Sequence, residues 1–216
     1  MPDVTDSPPL DSASTIKFRD ARVEDVPVLA KLMYTEISWG RLRDFGMGFL
    51  TILNRAFCTS PYAICVVAEV NGRVVGYCAG VVHLGRFYRE FVVRRGLAAA
   101  IAIIPSLFQR RMLRTLWKGL TYRNDPGPNG PQSEIAVFAV AKGFSGRGIG
   151  NKLLDAAMAT LRARGAEAVR IGTVTEGNQA ALTVYGRYGF EVVQTKTFYG
   201  DSQVHVMEYR FESAPQ

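Results

Sequence analysis

The stretch EIAVFAVAKGFSGRGIGNKLL, residues 134–154, decides the fold. It opens with a short apolar run, Ile135 to Ala141, long enough for one buried strand. It then passes Gly143, Gly146, Gly148 and Gly150. A helical pattern follows, with Leu153, Ala157 and Leu161 four residues apart and Leu154 and Met158 beside them. Strand, glycine-rich turn and helix start, in that order, make an anion site. The first N–H groups of a helix have no internal acceptor, and the helix dipole places partial positive charge there. Glycines let the chain wrap closely enough to aim those groups at one phosphate or pyrophosphate. Two familiar phosphate loops do not match. A Walker loop needs Lys-Ser/Thr after its last glycine, and here Asn151 and Lys152 follow Gly150. A GxGxxG fingerprint needs a wider second spacing than Gly146, Gly148 and Gly150 provide.

The segment Ser145-Gly146-Arg147-Gly148-Ile149-Gly150 resembles the coenzyme A pyrophosphate loop of the GNAT superfamily of N-acetyltransferases. The family pattern is Gln/Arg-x-x-Gly-x-Gly/Ala. Gly148 and Gly150 match it, and Ser145 stands where Gln or Arg is usual. That departure removes a long side chain and leaves the backbone cradle. Downstream, Asn178-x-x-Ala181-x-x-x-Tyr185-x-x-Tyr188-Gly189-Phe190 resembles the family's Asn, Ala, Tyr, Gly-Phe ending. The resemblance implies an α/β (α+β) fold with a mixed, mostly antiparallel twisted sheet flanked by helices. It also implies acetyl-CoA as cosubstrate, with no metal.

At 216 residues the chain suits one domain, or one domain with a large insertion. Its 48% hydrophobic content is that of a globular protein with a full core. Cys58, Cys65 and Cys78 form no CxxC pair and read as reduced core thiols. Only His83 and His205 are present, which excludes a His-rich metal site and argues against a Ser-His-Asp triad. Residues 1–13 are polar and Pro-rich with no signal-peptide core. They read as a disordered tail on a cytoplasmic protein. The expected domain is 14–212. Leu97 to Ile104 is the longest apolar run and is too short to span a bilayer.

Along the chain, Thr15–Arg19 reads as a first strand and Val23–Ile37 as an amphipathic helix with Pro27 in its first turn. Trp39–Phe57 reads as a second helical region loosened by glycines. Tyr62–Val70 and Arg73–Val82 flank Asn71-Gly72, a tight hairpin signal. After the glycine loop and its helix come a strand at Ala168–Val174, a helix at Asn178–Tyr188 and closing strands at Phe190–Thr195 and Gln203–Phe211.

Between the third and fourth strands lies a helical basic insertion, 85–132. Ser106 is placed to cap a helix after Pro105, and Ser106 to Leu120 carries one apolar half-face and one basic one. Residues 86–123 hold nine Arg/Lys and one acid, Glu90, a net +8 against +7 for the whole chain. The basic character therefore belongs to the insertion. The plain reading is a solvated face around packed helices. The sharper readings are an anionic acceptor, peripheral membrane contact through 86–123, or a homodimer contact. No nucleic-acid recognition motif is present.

Acetyl transfer from a thioester needs a neutral amine, a donor for the developing oxyanion and a proton for the leaving thiolate. A free alkylamine has a pKa near ~10. Glu134 is the candidate base. In the family's protein-acetylating branch a glutamate stands in this strand, eleven residues before the loop's first motif position, and Glu134 stands eleven before Ser145. By period two, Phe138 and Val140 are expected on its face. Tyr185 matches the family tyrosine near the coenzyme A sulfur and is the candidate acid. Asn178 matches the family Asn on the pantetheine arm, and is also a candidate helix N-cap. The main chain of Phe138 and Val140 is expected to pair with that arm as an added strand would. Ser145, Gly146, Arg147, Gly148 and Gly150 are expected around the pyrophosphate. Tyr34, Tyr62 and His83 are further acceptor candidates without a ranking.

The leading functional reading is acetyl transfer from acetyl-CoA to a primary amine of a small molecule (amino sugar, amine or amino acid), directly in a ternary complex. The alternatives are acetylation of a protein or peptide amino group and, in a different class, a non-catalytic acyl-CoA-binding or membrane-surface scaffold. Fold alone does not separate them.

Overall fold

Asn71 and Gly72 both take positive φ, 49° and 79°, which matches the twist of the strands they join. They close a hairpin of β2 (Ala63–Val70) and β3 (Arg73–Val81). Nearly every residue of this hairpin is buried, because helices cover both its faces. The computed structural model describes residues 15–37, 42–107, 130–198 and 202–212. Among these, β1 (Ile16–Asp20) pairs with β2, and β4 (Ser133–Val140) pairs antiparallel with β3. β5 (Ala168–Val174) lies parallel to β4, and β7 (Ser202–Arg210) joins β5 to β6 (Glu191–Phe198). The sheet order is β1-β2-β3-β4-β5-β7-β6, with one parallel pair at its centre.

One face of the sheet carries α1 (Val26–Glu36) and α2 (Gly46–Thr59). A 3-10 turn, Val23–Asp25, precedes α1, so the helix begins one turn later than the periodicity suggests. The second helical region divides into a 3-10 turn at Leu42–Phe45 and α2. The break falls at Gly46, whose φ is +81°, and a Cβ there would sit 3.2 Å from Ser106 Oγ. The opposite face carries α4 (Ile149–Ala163) and α5 (Gln179–Tyr188). Leu153, Leu154, Ala157, Met158 and Leu161 of α4 are fully buried there, as their spacing predicts.

The insertion opens with α3 (Leu84–Leu107), which packs on α2. Phe87 stacks on Phe57 with centroids 5.1 Å apart, and Phe91 meets Phe49 edge-on at 6.4 Å. Ser106 does not cap a new helix. It lies inside α3, which runs through Pro105, and its buried hydroxyl is directed at α2 near Gly46. The rest of the expected helix to Leu120 and the expected tail at 1–13 lie outside the described residues.

The strand that matters for chemistry contains a bulge. Ala79 faces Val137 and Gly80 faces Ile135, so Ala136 is an extra residue in β4. At this point β3 approaches closely, and a Cβ on Gly80 would come within 2.9 Å of the Glu134 carbonyl oxygen. Gly80→Ala is expected to lower stability by about 1–3 kcal/mol, read as a drop in melting temperature, because backbone rather than a flexible side chain must give way.

Candidate active site

The bulge sets which face each side chain of β4 takes. Residues directly opposite in a ladder point to the same face, and neighbours along a strand alternate. Phe138 faces Cys78, and Glu134 faces Val81. Cys78 and Val81 are three apart on β3, which is regular there, so they point to opposite faces. Phe138 therefore lies on the α4/α5 face and Glu134 on the α1/α2 face. The expectation that the two share a face is overturned, because the extra residue at Ala136 shifts the alternation by one. Strict period two holds only on an unbulged strand.

β4 and β5 pair only at Ser133–Val169, Glu134–Arg170 and Ile135–Ile171. Beyond this point both strands continue, β4 to Val140 and β5 to Val174, without pairing to each other. A cleft opens between them. Ala136, Val137 and Phe138 line one side, with Gly172 and Thr173 on the other. Asn178, Ala181 and Tyr185 of the α5 region close it on one face of the sheet. Glu36 and Ile37, at the end of α1, border it towards the other. The cleft thus connects the two faces. Glu36 and Ile37 were not singled out in the sequence, since nothing local marks where a helix end will lie against a distant strand gap.

On the α4/α5 face, Tyr185 is 3% exposed and its ring lies 5.7 Å from Phe138 and 5.9 Å from Phe190, centroid to centroid. Burial, with a smaller push from Cys78, raises its phenol far above the usual range. Asn178 occupies the N-cap position of α5, but its side chain caps nothing. Its Nδ2 donates instead to Thr173 Oγ1 at 2.6 Å, which fixes the amide at the mouth of the cleft. Val140 is half-buried opposite Gly76 at the end of β4 and is not part of the cleft lining.

The glycine loop leads from β4 into α4. Gly146 and Gly148 take φ of +76° and +74°, and Gly148 is the N-cap of α4. No side chain caps this helix, and its first internal bond runs from Lys152 N–H to the Gly148 carbonyl. The earlier N–H groups of the first turn are left to an outside acceptor. A Cβ on Gly150 would meet the Phe138 ring at 3.4 Å, so this glycine brings the loop against the strand. Ser145 and Arg147 are exposed, and the Arg147 guanidinium lies 5.6 Å from the Phe144 ring centroid. These features fit a coenzyme A pyrophosphate at the helix start with a thioester arm running into the cleft. Gly148→Val is expected to weaken acetyl-CoA binding at least tenfold, because a β-branched residue resists this backbone conformation. Loss of thermal stabilisation by acetyl-CoA measures it.

On the other face, Glu134 stands in a charged row with Arg170 of β5 and Glu208 of β7, each facing the next across the ladders. Arg170 holds Glu208 through Nη2 at 2.7 Å and Nε at 3.1 Å from one carboxylate oxygen. Burial pushes the Glu134 carboxyl up to about 7, against the opposing pull of Arg170 and Lys196. Arg170 was not marked as part of the site in the sequence. Its register opposite Glu134 appears only when β4 and β5 pair.

Tyr62 and His83 lie elsewhere, in a cleft at the opposite ends of these strands with Arg86, Arg164 and Arg210. Tyr34 is exposed on α1. The cysteines are distant in sequence, yet the Cys58 and Cys65 thiols are in contact, which lowers the first and raises the second.

Residues 34–190 match the Acetyltransferase (GNAT) family. A mycothiol acetyltransferase of Propionibacterium freudenreichii subsp. shermanii is 33% identical over 87 residues, covering 40% of this chain and 28% of that protein. N-alpha-acetyltransferase 30 of Schizosaccharomyces pombe is 38% identical over 56 residues, 26% of this chain and 37% of that protein. The chain thus spans well under half the length of these two curated relatives. YncA from Salmonella typhimurium, solved with its cofactor acetyl-CoA, superposes with a TM-score of 0.55 at 18% identity, covering 94% of this chain and 98% of that one. The family match extends over most of the chain, from α1 through the glycine loop to Phe190, and on that ground the chain belongs to the GNAT family of acetyltransferases, whose cosubstrate is acetyl-CoA.

Proposed function

We propose that the protein is an N-acetyltransferase that moves acetyl from acetyl-CoA to a primary amine of a small molecule by direct transfer in a ternary complex. The observation that carries this reading is the bulge at Ala136. It turns Phe138 to the face of the sheet that holds Tyr185 and Glu134 to the other, while the cleft that opens between β4 and β5 just beyond Glu134 is lined from both faces. Two reactants approaching from opposite faces meet without a covalent enzyme intermediate.

When bound, acetyl-CoA supplies an activated thioester. The first-turn N–H groups after Gly148, with Gly146, Arg147 and Ser145 around them, would hold its pyrophosphate. Gly150 brings the loop against β4, and Asn178 would meet the pantetheine arm. The main chain of Phe138 and Val140 would pair with that arm, with the Phe138 N–H directed at the thioester carbonyl. Glu134, with a carboxyl near 7, is ionised in a large fraction of molecules at neutral pH yet basic enough to take a proton from the amine, directly or through water. Tyr185, the proposed acid, keeps its proton at working pH and would direct it at the departing sulfur, stabilising the developing thiolate.

A second reading is acetylation of a peptide or protein amino terminus. It is favoured by the similarity to the yeast N-alpha-acetyltransferase over 56 residues. Purified protein incubated with acetyl-CoA and a panel of amino sugars, amino acids, simple amines and short peptides, read by mass spectrometry, separates the two. Acetylated small amines support the first reading. Acetylation confined to peptides replaces it with the second, and none with any amine, despite acetyl-CoA binding, points to a non-catalytic binder.

A further inference from the structure

The outer face of α3 is apolar where a soluble helix is ordinarily polar. The helix has 24 residues, about 36 Å in length. Its inner face is occupied by Phe87, Phe91 and Ala99 packing towards α2. On the opposite side Val93 and Leu97 are each 79% exposed, Ile101 57% and Ile104 49%. At 100° per residue these four fall on one stripe, and Arg86 falls on the same stripe at its N-terminal end. Arg89 and Arg94 flank it, both exposed. The acid on this side, Glu90, is held by the Ser60 hydroxyl at 2.5 Å and by Arg94 at 3.2 Å. The Arg86 guanidinium lies 6.0 Å from the Tyr62 ring centroid. The result is one continuous exposed surface, basic in its first turns and aliphatic beyond.

We propose that this face of α3 docks the protein on an anionic lipid membrane. The aliphatic end enters the boundary between headgroups and acyl chains, while Arg86, Arg89 and Arg94 meet lipid phosphates. The pattern is that of a helix lying in the interface. Among the described residues no helix is long and apolar enough to cross a membrane, so contact through this helix is peripheral. A second copy is disfavoured by charge. In an antiparallel two-fold contact centred on Leu97, the arginine end of each helix would lie on the aliphatic end of the other, setting cationic groups against apolar surface. At its basic end the surface borders a cleft shared with Pro61 and Tyr62, where Arg86, Arg89 and Arg94 are gathered to meet an anionic group. Docking is independent of the acetyl-transfer reading: a failure of either leaves the other standing.

The test is flotation of the full-length protein with phosphatidylcholine vesicles and with phosphatidylcholine–phosphatidylglycerol vesicles, at low and roughly physiological salt. The expected result is binding to the anionic vesicles alone, weaker as salt rises. Leu97→Asp/Ile101→Asp should lower that binding by at least about a hundredfold, since each change removes a buried aliphatic group and adds a charge to the interface. Stabilisation of the variant by acetyl-CoA verifies its fold. Arg89→Glu tests the electrostatic part separately. At roughly fivefold per unit charge near the surface, reversal should weaken binding about 25-fold. No flotation of the wild type with anionic vesicles overturns the proposal, as does undiminished flotation of the double variant or of Arg89→Glu. A wild-type dimer in solution that Leu97→Asp/Ile101→Asp dissociates also overturns it and assigns the face to a second copy.

Discussion

Glu134→Gln is expected to slow acetyl transfer by about 10²–10³-fold and, at the same time, to stabilise the protein above neutral pH. Both effects have one cause. The carboxyl is driven up to about 7 by burial, which Arg170 and Lys196 only partly offset. As a base it works when ionised, so wild-type kcat/KM should rise with pH and level off above about 7, and that limb should vanish in the variant. Stability runs the other way. Between the unfolded value near ~4.3 and the folded value near 7, the folded state binds more protons at this site than the unfolded state. Stability therefore falls as pH rises through that window. The neutral amide escapes the penalty, so its advantage is absent well below pH ~4.3 and reaches on the order of 3–4 kcal/mol above the folded value. Melting curves of both proteins at acid and mildly alkaline pH, together with rate–pH profiles, check the prediction. An unchanged rate profile in the variant would remove Glu134 from the chemistry. A variant less stable at alkaline pH would mean that its charge is needed by Arg170.

The fold was largely legible because it rests on local signals. Asn71-Gly72 forces a hairpin, the four-residue spacing from Leu153 to Leu161 forces a buried helix face, and the glycines between β4 and α4 place a helix start beside a strand end. The geometry of the glycine loop was legible for the same reason: it is a backbone device written in consecutive residues. The acceptor side was not. Whether Glu134 shares a face with Phe138 depends on one unpaired residue, Ala136, and an alanine in an apolar run carries no sign that it will be bulged. Gly80, opposite, is the nearest trace, since a strand glycine often marks a close backbone approach. Arg170 and the end of α1 join the site only through strand pairing and helix packing across the sheet. The boundary error at Ser106 has a similar origin. A serine after a proline is a helix-start signal, but packing of α3 on α2 carries the helix through both residues.

The charged row on the α1/α2 face also limits what the acceptor can be. With Arg170 already holding Glu208, the amine approaches a surface that carries both signs of charge. The basic stripe of α3 lies outside the cleft lining. The exposed arginines of α3 are thus better assigned to the proposed docking than to selecting an anionic acceptor.

Tyr185→Phe separates chemistry from binding on the cofactor side. The ring supplies packing between Phe138 and Phe190, at 5.7 and 5.9 Å, and phenylalanine preserves it. Only the hydroxyl is lost. Burial holds that hydroxyl protonated at working pH, so it is a hydrogen-bond donor and cannot serve as a base. The proposed acceptor is the leaving sulfur: its thiolate, with a parent thiol pKa of about 8.5 or slightly more, is less basic than this phenolate, so the hydroxyl stabilises the departing charge by a hydrogen bond. The expected outcome is a fall in kcat of about 10²-fold with acetyl-CoA affinity within a factor of about two and melting temperature nearly unchanged. Titration calorimetry with acetyl-CoA and steady-state rates on the same preparation read the two effects separately. Equal losses in affinity and rate would make Tyr185 a wall of the thioester pocket. An unchanged kcat would assign the proton to water in the cleft and leave the tyrosine with packing alone.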